Sequence, residues 1–344
     1  MGIKNLTKFI KEHSANGYVK INFNDLEDKV IAIDASLILY QFLIAIKSND
    51  DLKNKDGKIT SHIHAIIIKV LTYIKKKIYP IFVFDGKPPE MKTKTLQYRN
   101  QLKQKALDKL EDTNNILSEE DKIKMQKRSL KITEEQILEC KEMLNILGIP
   151  YIESPSEADS QCAYLVKEGI AYAVISEDMD LLTFGTNKLI KGLNNKLEMY
   201  DLNIILKELN ITYNEFIELS ILFGCDYCAT IKKIGIKKAY ELILKHKNIE
   251  SIKKLNKYEF PENYNYKEII NYFKNPPVKK IKKEDIKWCS PNLDLLKYKL
   301  IENYNYNPDS VDKIINSINN GYYSVICGNI KKNDFKIKNK YIFI

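Results

Sequence analysis

Hydrophobic and polar positions along the 344 residues fall into two alternating rhythms. Short unbroken apolar runs, VIAI (30–33), IFVF (81–84) and AYAVI (171–175), have the length and composition of strands buried on both faces. Between them the apolar residues take helical spacing, as in SHIHAIIIKVLTYIKKKI (61–78) and EEQILECKEMLNILG (134–148). GIPYIESP (148–155) adds a fourth strand after a helix stop at Gly148. Strand followed by helix, repeated, predicts an α/β fold with helices covering a mostly parallel central sheet. Two segments break the rhythm. Residues 86–132 are polar and lysine-rich, with helical spacing but little apolar face, and residues 257–291 are rich in Tyr, Asn, Pro and Lys and read as an irregular excursion. No internal repeat of fixed period is present.

A hydrophobic content of 44% supports a substantial core. No stretch approaches 18 apolar residues and no apolar h-region follows Lys4 and Lys8, so neither a membrane span nor a secretory signal is expected. MGIKNLT misses a myristoylation signal because Leu6 stands at the required Ser/Thr position. The expectation is a soluble, monomeric, intracellular protein. Six cysteines (Cys140, Cys162, Cys225, Cys228, Cys289 and Cys327) lie mostly in apolar segments and read as reduced core thiols. Cys225 and Cys228 make a lone CxxC, two ligands short of a structural zinc. The net charge of +10 is consistent with a polyanionic partner, but a chain this rich in Lys, Asn, Ile and Tyr also fits an AT-biased genome. Where the charge lies matters more than its sum.

The acids change the picture. Asp34 follows VIAI, Asp85 follows IFVF, and Asp178 lies three residues past AYAVI. In open α/β sheets, sites form outside the carboxyl ends of the strands, so three strands would deliver carboxylates to one rim. Each acid taken singly has a structural reading. A strand-end Asp is often a helix N-cap, Ser156 and Asp159 have capping-box spacing with Glu157 favoured by the helix dipole, and Asp226 could end a helix after Gly224. Taken together, Asp34, Asp85, Glu157, Asp159, Asp178, Asp180 and Asp226 would repel severely without cations. Oxygen ligands in such number suit Mg²⁺ or Mn²⁺, and two such ions can activate water and stabilise the leaving oxygen of a phosphodiester. The histidines (His13, His62, His64, His246) show no ligand spacing. A rival reading takes DMDLL (178–182) as a haloacid-dehalogenase-type opening, but Leu182 replaces the expected small β-branched residue and Asp34 and Asp85 go unused.

Only two of the 55 basic residues are arginines, Arg99 and Arg128, and both fall within 92–131, which holds 11 of the 55. An arginine fork grips phosphate in two directions, which lysine cannot copy. A solvated charged helix is the plain alternative. Carboxylate-held metals beside such cations match phosphoryl transfer. Downstream, CATIKKIGIKKAYELILKHK (228–247) reads as helix, tight turn at Gly235, helix, with Lys232, Lys233, Lys237 and Lys238 around it. That arrangement either holds a DNA phosphate without reading sequence or is an ordinary basic hairpin.

MGIKNL, IAIDAS, YQFLIAI, TSH, VFDGKPPEMK, KRSLKIT, LGIPYIESPSEAD, SEDMDLLTFG, GCDYC and KWCSPN together resemble the flap endonucleases of the XPG superfamily, from residue 1 to about 320. The resemblance implies a PIN-like nuclease core in a single domain over 1–320, with a helical gateway and cap at 86–132, a helix-turn-helix element at 217–250 and a short tail at 321–344. It implies a metal-dependent structure-specific 5′-flap endonuclease with associated 5′–3′ exonuclease activity, acting on branched DNA in replication and repair. In that family, positions matching the seven acids hold two Mg²⁺ ions, for which Mn²⁺ may substitute. Lys92 and Arg99 match the residues that approach the scissile phosphate, with Asp178 among the catalytic acids. Tyr40 matches an aromatic that stacks on a base, although alone it reads as a core residue. Lys127, Arg128 and Lys131 match basic cap positions, and 228–240 matches the element that grips the downstream duplex. Hydrolysis would leave a 5′-phosphate and a 3′-hydroxyl.

The chain also departs from the family pattern. Lys55 and Lys58 stand in a patch that is acidic in relatives, which puts one-nucleotide 3′-flap selectivity in question. The family's Gly-x-Gly-Pro becomes Lys233-Ile234-Gly235-Ile236, which leaves K⁺ binding there open. No glutamine follows Gln161, and the chain ends FKIKNKYIFI without a recognisable sliding-clamp motif. PPVKKIKK (276–283) reads either as a nuclear signal or as a solvated loop. The expected compartment is the nucleus for a cellular eukaryote and the cytoplasm for a virus replicating there. A mainly exonucleolytic relative and a non-catalytic junction binder remain as alternatives.

Overall fold

The structure, a computed structural model, describes residues 2–46, 54, 56–58, 60–111, 118, 121, 125, 129, 132–192, 196–262 and 264–330. Seven strands form one sheet: β1 (Tyr18–Ile21), β2 (Val30–Asp34), β3 (Tyr79–Phe84), β4 (Tyr151–Glu153), β5 (Ala173–Ile175), β6 (Lys188–Lys191) and β7 (Leu197–Asp201). Their spatial order is β1-β7-β6-β5-β2-β3-β4. Pairings from β6 through β5, β2 and β3 to β4 are parallel, and those of β7 with β6 and β1 are antiparallel. The four expected strands are all present. The chain steps from β2 outward to β3 and β4, then returns to place β5 on the other side of β2, which makes a switch point between β2 and β5.

Side chains alternate along each central strand into two cores. Ala32, Ile81, Val83 and Val174 join one, and Ile31, Ile33, Phe82, Phe84 and Ala173 join the other. Both faces are covered, which is why these strands read as continuous apolar runs. Helix α1 (Leu6–His13) packs on the first face through Leu6, Phe9 and Ile10. Helix α2 (Ala35–Ile46) follows β2 directly, and α3 (Ser61–Lys75) covers the second face with Ile63, Ile66, Ile67, Val70 and Ile74 fully or almost fully buried. Each such side chain stabilises the fold by about 2 kcal/mol relative to exposure.

Helix α4 (Thr93–Glu111) rises from the end of β3 through a short 3₁₀ turn, Glu90–Lys92. Then come α5 (Glu134–Ile146), α6 (Ala158–Lys167), the single turn α7 (Asp180–Thr183), α8 (Leu202–Glu208), α9 (Tyr213–Phe223), α10 (Ile236–His246), α11 (Ile249–Lys253), α12 (Tyr266–Lys274), α13 (Leu293–Tyr298) and α14 (Pro308–Ile330). The excursion expected at 257–291 is thus partly regular: α12 buries Tyr266, Ile269, Tyr272 and Phe273. Trp288 then ties the segment back to the sheet, its Nε1–H donating to the Pro80 carbonyl at 3.0 Å. The expected tail boundary at 320/321 falls inside α14. Among the described residues, no helix is long and apolar enough to cross a membrane.

Candidate active site at the carboxyl edge of the sheet

Asp34 is the last residue of β2, and its Oδ1 accepts the Leu37 backbone N–H at 3.2 Å, so it also caps α2. Asp85 follows β3, is exposed, and accepts the Ala158 N–H at 2.8 Å. This replaces the capping box expected at Ser156 and Asp159. Glu157 takes the N-cap position of α6 with no side-chain cap bond, because a carboxylate from the neighbouring strand already meets the helix N-terminus. Asp178 lies past β5, and its Oδ1 accepts the Asp180 N–H at 3.0 Å. Asp226 sits in the turn after α9, where Gly224, at φ 100°, redirects the chain. A methyl group added at Gly224 would stand 2.5 Å from Thr230 Cγ2.

These acids share one rim, and their proton affinities register it. Burial first, then the charges of Asp85 and Asp178, push Asp34 up to about 8. Burial together with Asp178, Asp34, Asp180 and Asp85 holds Asp159 well above the carboxylate range. Burial, Asp178 and Asp226 do the same to Asp180. The Asp159 Oδ1 is sealed from solvent and has no hydrogen-bond partner. Among the described residues, no three His, Cys, Asp or Glu side chains already close into a ligating cage. The donors are all carboxylate oxygens, one of them orphaned, in a place where their charges raise one another's proton affinity. Such a set fits a hard divalent cation.

Two basic residues enter the rim from the segment after β3. Lys92 Nζ contacts Glu157 Oε1 and lies 3.4 Å from Asp226 Oδ2. Burial opposes its charge, but Glu157 and Asp226 more than offset that and hold the ammonium above the usual lysine range. Arg99 Nη2 donates to both Asp226 carboxylate oxygens at 2.7 Å, and Thr95 Oγ1, one turn earlier on α4, donates to the Asp226 carbonyl at 2.6 Å. The same face of α4 carries Lys103, whose Nζ is 5.7 Å from the centroid of the half-buried Tyr40 ring.

Other expected positions fall elsewhere. Lys232, Lys233, Lys237 and Lys238 are all exposed, Lys238 pairing with Glu241 at 3.1 Å. The helix expected at the start of 228–247 is not formed: residues 224–235 make the loop between α9 and α10, so the helix before the turn is α9, within the 217–250 element. The left-handed residue of that loop is Lys233, at φ 64°, whereas Gly235 is extended and leads into α10. Lys127, Arg128, Lys131 and Lys55 lie outside the described residues. Cys225 and Cys228 approach to 3.6 Å between sulfurs, whereas Cys289 is exposed and so departs from the expected core thiols. A cleft of about 290 Å³ beside Tyr164, Phe184 and Lys274 contains none of the seven acids in its lining.

Four residues that shape the rim escaped the sequence reading. The backbone of Gly2, at φ 76°, passes so close to the acids that a methyl group there would lie 1.9 Å from Asp178 Oδ1, and the next N–H, of Ile3, donates to Asp180 Oδ1 at 2.7 Å. Glu157 Oε2 accepts from Tyr227 OH at 2.6 Å and from Tyr272 OH at 2.9 Å. Tyr227 stood in plain view beside Asp226, but Tyr272 carried no local signal.

Comparison with known proteins gives a consistent result. The XPG N-terminal domain family matches residues 1–106, and the XPG I-region family matches residues 148–226. Flap endonuclease 1 of Plasmodium vivax is 40% identical, over 92% of this chain and 55% of its own length; the soybean (Glycine max) flap endonuclease 1 is 39% identical, over 92% and 86%. The chain therefore spans little more than half the length of the Plasmodium vivax relative. Among solved structures, flap endonuclease-1 from Methanococcus jannaschii aligns with a TM-score of 0.68 at 30% identity, covering 90% of this chain and 97% of that one. The catalytic core of Rad2 in complex with DNA substrate aligns at 0.73 with 25% identity, covering 92% and 100%.

Proposed function

Because the chain belongs to the flap endonuclease family of the XPG superfamily, we propose that it is a metal-dependent, structure-specific 5′-flap endonuclease with associated 5′–3′ exonuclease activity on branched DNA. The observation that carries this reading is the insertion of Lys92 and Arg99 among acids delivered by three neighbouring strand ends. The carboxylates suit hard divalent ions, and the interleaved cations add what a polyanionic substrate needs beside carboxylate-held metals.

Asp34, Asp85, Glu157, Asp159, Asp178, Asp180 and Asp226 would hold the ions, two Mg²⁺ being the occupants that best suit an all-oxygen donor set. Bound there, Mg²⁺ supplies an activated water and charge neutralisation on the phosphate. Lys92 and Arg99 would exchange carboxylate for phosphate oxygens and so stabilise charge that develops there. Tyr40, half-buried with Lys103 near its ring, would stack on a base next to the cut. Lys232, Lys233, Lys237 and Lys238 would hold backbone phosphates of the duplex, and Lys127, Arg128 and Lys131 would line the cap over the 5′ strand.

The test uses a 5′-labelled double-flap duplex with a one-nucleotide 3′ flap, in Mg²⁺ or EDTA, beside Asp178→Ala and a nicked duplex. Release of the flap plus about one paired nucleotide, lost in EDTA and in the variant, is expected. Stepwise mononucleotide release from the nick, with the flap ignored, would replace this reading with the exonuclease one. Tight binding without cleavage in Mg²⁺, or in Mn²⁺ put in its place, would end the catalytic reading altogether.

A further inference from the structure

Glu157 is held differently from the other six acids. It is 6% exposed, and its two oxygens face different surroundings. Oε1 meets Lys92, while Oε2 accepts two phenolic hydrogen bonds, from Tyr227 and Tyr272. An ionised carboxylate only accepts, so both tyrosines must donate. Tyr272 then has its oxygen free to accept, and the group 3.0 Å from it is Ser156 Oγ, which must be the donor in that pair. The result is a directed relay from Ser156 through Tyr272 to Glu157. The rings that carry these hydroxyls are locked: Tyr227 packs edge-on against Tyr272 and Phe273, and Phe184 closes the cluster against both residues of α12. Tyr272 comes from a helix that contributes none of the seven acids.

We propose that Tyr272, together with Tyr227, is a positioning residue that saturates Oε2 of Glu157 and so presents Oε1 alone to the cation and phosphate site. This rests on the functional reading above. With Oε2 occupied twice, the carboxylate cannot rotate to offer both oxygens, and its one open oxygen stays on the Lys92 side. Partners of this kind, one shell behind a ligand, are worth about 10–100-fold in metal affinity.

The experiment measures Mn²⁺ binding to the full chain by electron paramagnetic resonance without DNA, and single-turnover flap cleavage across a Mg²⁺ titration. Tyr272→Phe keeps the ring and removes only the hydroxyl. It is expected to weaken Mn²⁺ binding about tenfold and to move the Mg²⁺ midpoint in the same direction, with rate recovered at high Mg²⁺ and DNA affinity unchanged. Tyr266→Phe is the control, because it removes a tyrosine-to-glutamate bond, to Glu250, from the same helix away from the rim. If Tyr272→Phe lowers thermal stability so far that binding cannot be read, Ser156→Ala, which cuts the relay one step earlier, decides with a smaller shift in the same direction. Mn²⁺ binding and a Mg²⁺ midpoint in the deciding variant equal to those of Tyr266→Phe would overturn the proposal. Failure of the wild type to cleave flaps would remove the functional reading, while the Mn²⁺ arm would still decide the positioning role.

Discussion

Arg99 and Lys92 stand side by side in the rim but offer a phosphate different things. Lys92 is a point charge already committed to two carboxylates, whereas Arg99 keeps further N–H donors after meeting Asp226. Arg99→Lys retains charge and loses the fork, so single-turnover flap cleavage should fall by roughly ten- to a hundredfold with little change in metal midpoint. His62 gives a second residue-level test, away from the rim. It is buried, with Nε2 2.5 Å from Glu139 Oε2, and burial lowers its proton affinity below the ordinary 6.5 despite the pull of Glu139 and Glu135. A depressed value means stability that is present above the unfolded pKa and lost as pH falls. The melting temperature should therefore drop on acidification below about 6.5, and His62→Gln should flatten that drop, as differential scanning fluorimetry would read. The acids were legible because an Asp closing an apolar run has only a few places to be. Tyr272 was not: its partner lies 115 residues away, and no periodicity encodes a hydroxyl's acceptor.

The elements that fix the rim are those whose sequence and surroundings agree. Helix α9 is one: Thr212 Oγ1 accepts the Glu215 N–H at 3.2 Å while Glu215 Oε2 accepts the Thr212 N–H at 2.6 Å. Thr212→Ala should cost about 1 kcal/mol in chemical denaturation while leaving flap cleavage unchanged, because the helix is held over most of its length by buried Phe216, Ile217 and Leu219. The strands β2, β3 and β5 were readable from continuous burial. The strands β1, β6 and β7 were not, since their short runs mix lysine and glutamate with half-buried positions. Helix α12 hid for a different reason. Its apolar face of Tyr266, Ile269, Tyr272 and Phe273 is correctly spaced, but dense Pro, Asn and Lys on either side obscured it. The capping box at Ser156 failed because a local pattern cannot know that Asp85 will arrive at the same helix end.

Across the whole molecule, a charge of +10 coexists with an acidic rim that takes in Lys92 and Arg99, so most of the other cations lie away from it. Lys232, Lys233, Lys237 and Lys238 form one exposed group at the loop and start of α10. If they hold phosphates, Lys232→Ala with Lys233→Ala should weaken duplex binding uniformly across sequences. The log–log salt slope of affinity should become shallower by about two, measured by fluorescence anisotropy at several salt concentrations. The order in which the chain supplies the rim has a consequence for biosynthesis. β5 and the acids after it lie beside β2 in the sheet but follow β3 and β4 in the chain, Asp226 follows α9, and the phenol that steadies Glu157 comes from residue 272. Synthesis therefore delivers the rim late: all seven carboxylates are present in one chain only once residue 226 has been made, and the phenol at residue 272 comes later still.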